Sequence, residues 1–167
     1  MEEQYYEQIV EKNNEKNIAA CRMGVVVLSI GLFAAGYVLM KGMLFLAGVV
    51  VALAGFMVVV PRFYVEYEYL YMSKELSVDR IFNKESRKKA GSWDLNSMVL
   101  MARQDSPELA SYKDRQGGLV LDFTSGEADR DVFVIVMNDQ KNTMIRFEPN
   151  EAITKAIRQQ FPRQAKY

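Results

Sequence analysis

The sequence predicts an α+β membrane protein: an N-terminal transmembrane helical hairpin, followed by a seven-stranded antiparallel β-barrel or sandwich with a C-terminal helix. Three observations predict it. Met23 to Val60 is almost unbroken apolar sequence, interrupted only at Lys41 and Gly42. Beyond Pro61 the apolar period changes from helical to alternating. The chain then closes on an amphipathic stretch between Pro149 and Pro162.

The hairpin occupies residues 23–60, with spans at 23–40 and 43–60. At about 1.5 Å of rise per residue, each span just crosses a hydrocarbon core of roughly 30 Å. Neither span holds a charge. A core helical pair of a soluble protein fits less well, because a buried soluble helix rarely stays apolar around its whole circumference. A signal peptide would lack the second span. Lys12, Lys16 and Arg22 precede the first span and Arg62 and Lys74 follow the second, whereas the connecting turn offers only Lys41. That asymmetry places both termini in the cytoplasm and makes the chain a multi-pass protein of the cell membrane. Small residues recur as Gly31 and Ala35 in one span, and as Gly48, Ala52 and Gly55 in the other. They form a candidate packing face, since small side chains let backbones approach where lipid supplies no hydrophobic drive. Whether that face serves the hairpin itself or another protein's helix is open at this level.

Residues 1–22 read as an amphipathic cytoplasmic segment. Tyr5, Tyr6, Ile9 and Val10 recur at helical spacing between Glu2, Glu3, Glu7 and Glu11, so a brief helix is expected before Asn13 and Asn14 weaken it. Its acidic side suits contact with the chain's own domain better than with anionic lipid. Cys21 is the single cysteine, so there is no disulfide framework; lipidation at the membrane entrance is conceivable, and a bystander thiol is the simpler reading.

Residues 61–167 suffice for one domain with a core of its own. Phe63, Val65, Tyr67, Tyr69 and Tyr71 fall on one side of an extended segment, with Tyr64, Glu66 and Glu68 on the other. Ser73, Lys74 and Glu75 make a turn, and Leu76 to Phe82 returns antiparallel. After a polar run from Asn83 to Lys88 come strands near Lys89 to Asp94 and Met98 to Ala102. Pro107 opens a helical turn through Glu108, Leu109 and Tyr112. Leu119 to Phe123, Val132 to Asn138 and Thr143 to Glu148 are three further strands, and Val132 to Met137, apolar on both faces, reads as central. Asn150 is a helix N-cap, Ile153, Ala156, Ile157, Gln160 and Phe161 form the stripe of that helix, and Pro162 ends it.

Two stretches carry a family resemblance. Tyr67-Glu68-Tyr69-Leu70-Tyr71 leads into Glu75-Leu76-Ser77-Val78-Asp79-Arg80-Ile81-Phe82-Asn83-Lys84, and Arg146-Phe147-Glu148-Pro149-Asn150-Glu151 leads to Phe161-Pro162-Arg163. The chain resembles bacterial membrane proteins of unknown function in which a two-span hairpin carries a pleckstrin-homology-like (PH-like) cytoplasmic domain. The resemblance implies a PH-like barrel or sandwich and no activity, because a superfold does not fix function.

The chain has no histidine, which removes the usual general base near neutral pH and the commonest zinc ligand. Asp94, Asp105, Asp122, Asp129 and Asp131 share no spacing that demands acid–base or metal work, and Glu127, Asp129 and Asp131 lack the other ligands of a calcium loop. Gly117-Gly118 is a turn before a strand rather than a phosphate cradle. No cofactor and no metal are expected, and an enzyme is the remote alternative. Charges in 61–167 nearly cancel, so no global field attracts nucleic acid.

The basic run Lys84, Arg87, Lys88 and Lys89 follows a strand that returns toward the membrane, which offers four cations to anionic lipid headgroups. An ordinary solvated turn explains the same run more simply. Trp93, the sole tryptophan, is a core residue by default and a candidate partner contact by the enrichment of tryptophan at interfaces. The expected function is a membrane-anchored, non-catalytic binding or scaffold module, its partners the bilayer and an unknown membrane or cytoplasmic protein. The alternative is an accessory subunit of a larger membrane complex.

Overall fold

The structure, a computed structural model, describes residues 5–39, 42–113 and 118–167. Glu2, Glu3, Met40, Lys41 and Gly117, which figured in the sequence reading, lie outside the described residues. The chain forms two compact units. One comprises Asn14–Val65 and the hairpin tip Ile81–Ser86; the other comprises the N-terminal residues up to Asn13, Glu66–Arg80 and Arg87–Tyr167.

The first unit is built on two helices long and apolar enough to cross a bilayer. α1 runs Glu15–Val38, starting well before Met23. Polarity marks where an apolar stretch begins, not where helix begins, and Glu15, Lys16 and Asn17 continue the helix without breaking it. α2 spans Gly42–Ala54 and continues through a π-helical turn, Gly55–Val59, and a 3-10 turn, Val60–Phe63. Pro61 lacks an N–H and sits in that last turn, where the helix gives way to extended chain at Tyr64. Asn14 does not cap α1; its Nδ2 donates to the Phe63 carbonyl at 2.9 Å.

The second unit holds two sheets. The first has the order β1-β2-β3-β4, from Tyr5–Glu11, Val65–Met72, Glu75–Phe82 and Ser86–Asp94. Tyr5–Glu11 is therefore a strand and not the expected helix. It pairs antiparallel with β2, from Tyr5 opposite Met72 to Glu11 opposite Glu66. The reason is tertiary: pairing along β2 buries Val10 and half-buries Tyr6 and Gln8, while Tyr5, Glu7, Ile9 and Glu11 alternate outward. The expected contact with the chain's own domain forms through the backbone instead of a helix face.

Ser73 and Lys74 join β2 to β3, both with positive φ (49° and 70°), and Asn83 and Lys84 do the same between β3 and β4 (52° and 58°). Left-handed residue pairs match the right-handed twist of the flanking strands. β4 begins at Ser86 rather than near Lys89, so Arg87, Lys88 and Lys89 belong to a strand and only Lys84 to the turn.

The second sheet has the order β6-β8-β7-β5-β9, from Val120–Asp122, Met144–Phe147, Phe133–Met137, Met98–Arg103 and Ala165–Lys166. Among the described residues there are thus sheets of four and five strands, not seven strands in one antiparallel barrel. β6 runs parallel to β8 and β5 parallel to β9. The stretch from Phe123 to Val132 turns the chain back but leaves a strand position between β6 and β7, which β8 fills, so β6 and β8 run the same way. β9 joins because the Met101 N–H reaches the Gln164 carbonyl at 2.9 Å. β7 is central and buried along its whole length, as its two-sided apolar pattern requires.

Pro107–Leu109 and α3 (Ala110–Lys113) bring Leu109 onto the outer face of this sheet, against Leu100, Ala102, Val134 and Val136. α4, Glu151–Gln160, starts where the Asn150 Oδ1 accepts the Ile153 N–H at 2.9 Å, and it buries Ile153, Ala156 and Ile157. Between the sheets the aromatic rings of Tyr67 and Phe123, and of Tyr69 and Phe147, meet edge to face. Each such buried side chain contributes about 1.5–3 kcal/mol. Burial is affordable for Tyr69 because its hydroxyl donates to the Phe123 carbonyl at 2.5 Å.

Candidate functional site

The four cations of the basic run belong to different elements. Lys84 sits in the β3–β4 turn, within the helical unit. Arg87 points its Nη2 at the Glu68 Oε1, 2.7 Å away. Glu68, which the alternation sets opposite Tyr67 and Tyr69 on β2, has a side chain only 1 % exposed, and its Oε2 has no hydrogen-bond partner among the described residues. Burial pushes the Glu68 carboxyl pKa up, and the Arg87 guanidinium pulls it partly back. Lys88 and Lys89 are exposed and form no ion pair with the described residues.

In the helical unit, the tip of the β3–β4 hairpin is tied to the exit of the second helix. The Asn83 N–H donates to the Tyr64 carbonyl at 2.9 Å, and the Glu85 N–H to the Phe82 carbonyl at 3.1 Å. Arg22 of α1 donates to the Tyr64 hydroxyl at 2.7 Å. Between helix exit and turn lies a cleft of about 440 Å³, in which Met57, Val58, Arg62, Phe82, Asn83 and Ser86 take part. The sequence reading missed this cleft, although Arg62 and Phe82 both figured in it separately.

The candidate helix-packing face divides. Gly48 and Gly55 do face α1: a Cβ on Gly48 would lie 3.1 Å from the Phe33 ring, and one on Gly55 would lie 2.6 Å from the Val25 Cγ1. Gly31 meets nothing within 4 Å, so it does not oppose Gly48. The buried small residues of α1 are Ser29 and Gly36, two turns apart, and a Cβ on Gly36 would come within 2.9 Å of the Phe45 backbone nitrogen. Ala35 and Ala52 are half-buried. The i, i+7 spacing of Ser29 and Gly36 was the available signal; the i, i+4 spacing of Gly31 and Ala35 pointed to a face turned elsewhere. Cys21 is a half-buried free thiol on α1.

Trp93 is half-buried at the end of β4. Its ring lies 5.8 Å from that of Phe123 and covers Gly91 so closely that a Cβ there would come within 2.4 Å of the indole. The Arg80 guanidinium stands 5.7 Å from the same Phe123 ring.

The acidic residues act mainly as structural acceptors. Asp94 takes the Asn96 N–H, Asp122 takes the Thr124 N–H and an Arg146 nitrogen, and Asp131 pairs with Arg103. Glu148, which the sequence reading did not single out as a site, accepts both the Ser125 N–H and its hydroxyl through Oε1, at 2.9 and 3.0 Å. Among the described residues no three histidine, cysteine or acidic side chains are arranged to hold a metal ion.

The two sheets and the closing helix thus form a domain whose first strand precedes the two apolar helices and whose other strands follow them. The chain belongs to the family described as a bacterial PH-like domain (DUF6106), which matches residues 2–167. Comparison with curated proteins and with solved structures finds no match.

Proposed function

We propose that the protein is a membrane-anchored, non-catalytic binding or scaffold module that presents its PH-like domain at the cytoplasmic face of the cell membrane. Both helices cross the bilayer, and both termini are cytoplasmic. One observation carries this reading. In the apolar windows of the two helices, only 11 % and 17 % of residues are buried, so Val27, Leu28, Ile30, Leu46, Val50 and Leu53 among others point outward. A core helix of a soluble protein would bury these side chains, and water would not tolerate so large an apolar surface. Lipid is the solvent that fits. Lys84, Lys88 and Lys89 then serve as contacts to anionic headgroups, with Arg87 contributing less because it is committed to Glu68. Alkaline carbonate extraction of membranes containing the full chain tests the anchor: the chain stays with the membrane pellet, and release into the supernatant defeats the reading.

A second reading, an accessory subunit of a larger membrane complex, draws on a different observation. Gly24 and Gly31 lie on α1 with open space around them, unused by the hairpin itself. Small residues on a free helix face are where another protein's helix packs closely. Crosslinking in native membranes separates the two readings: a single dominant membrane protein supports the subunit, and lipid alone supports the tethered module. Trp93 is retained as a partner contact of the module, to be tested by its replacement with phenylalanine in the same crosslinking assay.

A further inference from the structure

The cleft at the exit of the second helix joins two chemistries that seldom meet at an ordinary turn. Met57, Val58 and Phe82 give it an apolar side, and Arg62, Asn83 and Ser86 a polar one. Arg62 is exposed and forms no ion pair with the described residues. The cleft is preformed, because the backbone bond from Asn83 to Tyr64 fixes the turn against the helix exit.

We infer that this cleft holds one monoanionic phospholipid, its acyl chain along Met57 and Val58 and its phosphodiester at the Arg62 guanidinium. The inference rests on the bilayer-spanning reading proposed above. The occupant follows from continuity: Met57 and Val58 are outward-facing residues of the same helix that is apolar along its length, so a lipid beside that helix enters the cleft without leaving its own solvent. A volume of about 440 Å³ lies in the range of small-ligand sites. Arginine presents a planar fork of donors that matches a phosphate, and the Asn83 amide and Ser86 hydroxyl can add donors of their own. Flexible methionine suits an acyl chain that must be held loosely. Glu85 also lines the cleft. Its carboxylate offsets part of the charge of Arg62, which favours a singly charged phosphodiester over a headgroup with further phosphates.

The test uses the full chain reconstituted in nanodiscs of equal phosphatidylcholine and phosphatidylglycerol, transferred to detergent and weighed by native mass spectrometry. Wild type retains about one phosphatidylglycerol per chain, and Arg62→Ala retains at least about ten-fold less, since the charge-assisted fork is lost. Arg62→Lys restores part of the retention, because it returns the charge without the fork. Equal retention by wild type and Arg62→Ala overturns the inference, as does a wild-type chain that carries no lipid yet resists alkaline carbonate. Release of the chain by carbonate overturns the membrane reading and this inference together.

Discussion

Val25 on α1 and Gly55 on the second helix meet so closely that a Cβ built on the glycine would lie 2.6 Å from the Val25 Cγ1 and 2.7 Å from its Cγ2. Valine in a helix has essentially one χ1 rotamer, so it cannot swing aside. Gly55→Leu is therefore expected to destabilise the helical pair by about 1–3 kcal/mol, the usual cost of overpacking. Gly31→Leu, placed in open space, is expected to change it by less than about 0.5 kcal/mol. Unfolding of both variants in mixed micelles measures the difference. Equal loss in the two would mean that the packing face lies elsewhere. Gly31→Leu also separates the proposed roles, because it abolishes co-purification of a partner helix only if one packs there.

The Glu68–Arg87 pair makes stability depend on pH with a definite sign. The folded state raises the Glu68 pKa above its ordinary 4.5, so it binds that proton more readily than the unfolded chain does. Stability from this group is complete below the unfolded pKa and is lost as pH rises through the folded one. Glu68→Gln removes the slope, so its stability relative to wild type is expected to be greater near pH 7 than near pH 4. Arg87→Ala leaves the carboxylate buried without its cation and is expected to cost about 1–3 kcal/mol near neutrality, a cost that Glu68→Gln in the same chain relieves. Thermal unfolding of the four proteins at the two pH values checks the pattern; an advantage for Glu68→Gln that shrinks as pH rises would refute it.

Lys74 occupies a left-handed conformation, φ 70°, in the β2–β3 turn, and its backbone carbonyl accepts the Leu95 N–H at 2.8 Å. A non-glycine residue there costs about 1–2 kcal/mol. Lys74→Gly keeps the carbonyl and removes the strain, though it also removes the ammonium from above the Phe161 ring. A net gain of about 0.5–1 kcal/mol is expected, read as a rise in melting temperature. A fall would show that the cation over Phe161 outweighs the backbone.

β1 supplies the edge of the first sheet although β2 follows both helices in sequence. A fragment starting at Pro61 therefore lacks a strand and exposes the β2 backbone to strand addition. A synthetic peptide of residues 1–13 is expected to bind fragment 61–167, raise its melting temperature and suppress its aggregation. A Val10→Asp peptide, which would place a charge at the buried position of β1, is expected to do none of these. Identical behaviour of the two peptides would argue that β1 contributes no specific pairing.

Much of this architecture could be read in the residues, and the failures have a common cause. The apolar run from Met23 to Val60, the two-sided apolar pattern of Phe133–Met137 and the Asn150 cap are local signals, each of which specifies its element almost alone. Tyr5–Glu11 fits a helical period and an alternating one, and only the free edge of β2 selects between them. β9 is two residues long and has no pattern to find. In the candidate site, the run Lys84, Arg87, Lys88 and Lys89 could be read in the sequence, but the pairing of Arg87 with the buried Glu68 across the sheet has no sequence period. The cleft at Arg62 and Phe82 was illegible for the same reason, being assembled from a helix end and a turn twenty residues on.

The central claim is that both helices cross a bilayer with both ends of the chain on the cytoplasmic side. Single-cysteine variants in a Cys21→Ser background, Gly42→Cys at the start of the second helix and Tyr167→Cys at the end of the PH-like domain, test it with a membrane-impermeant maleimide applied to intact cells. The account requires that Gly42→Cys be labelled from outside and that Tyr167→Cys be labelled only after lysis. Labelling of Tyr167→Cys in intact cells, or protection of both sites until lysis, would contradict it.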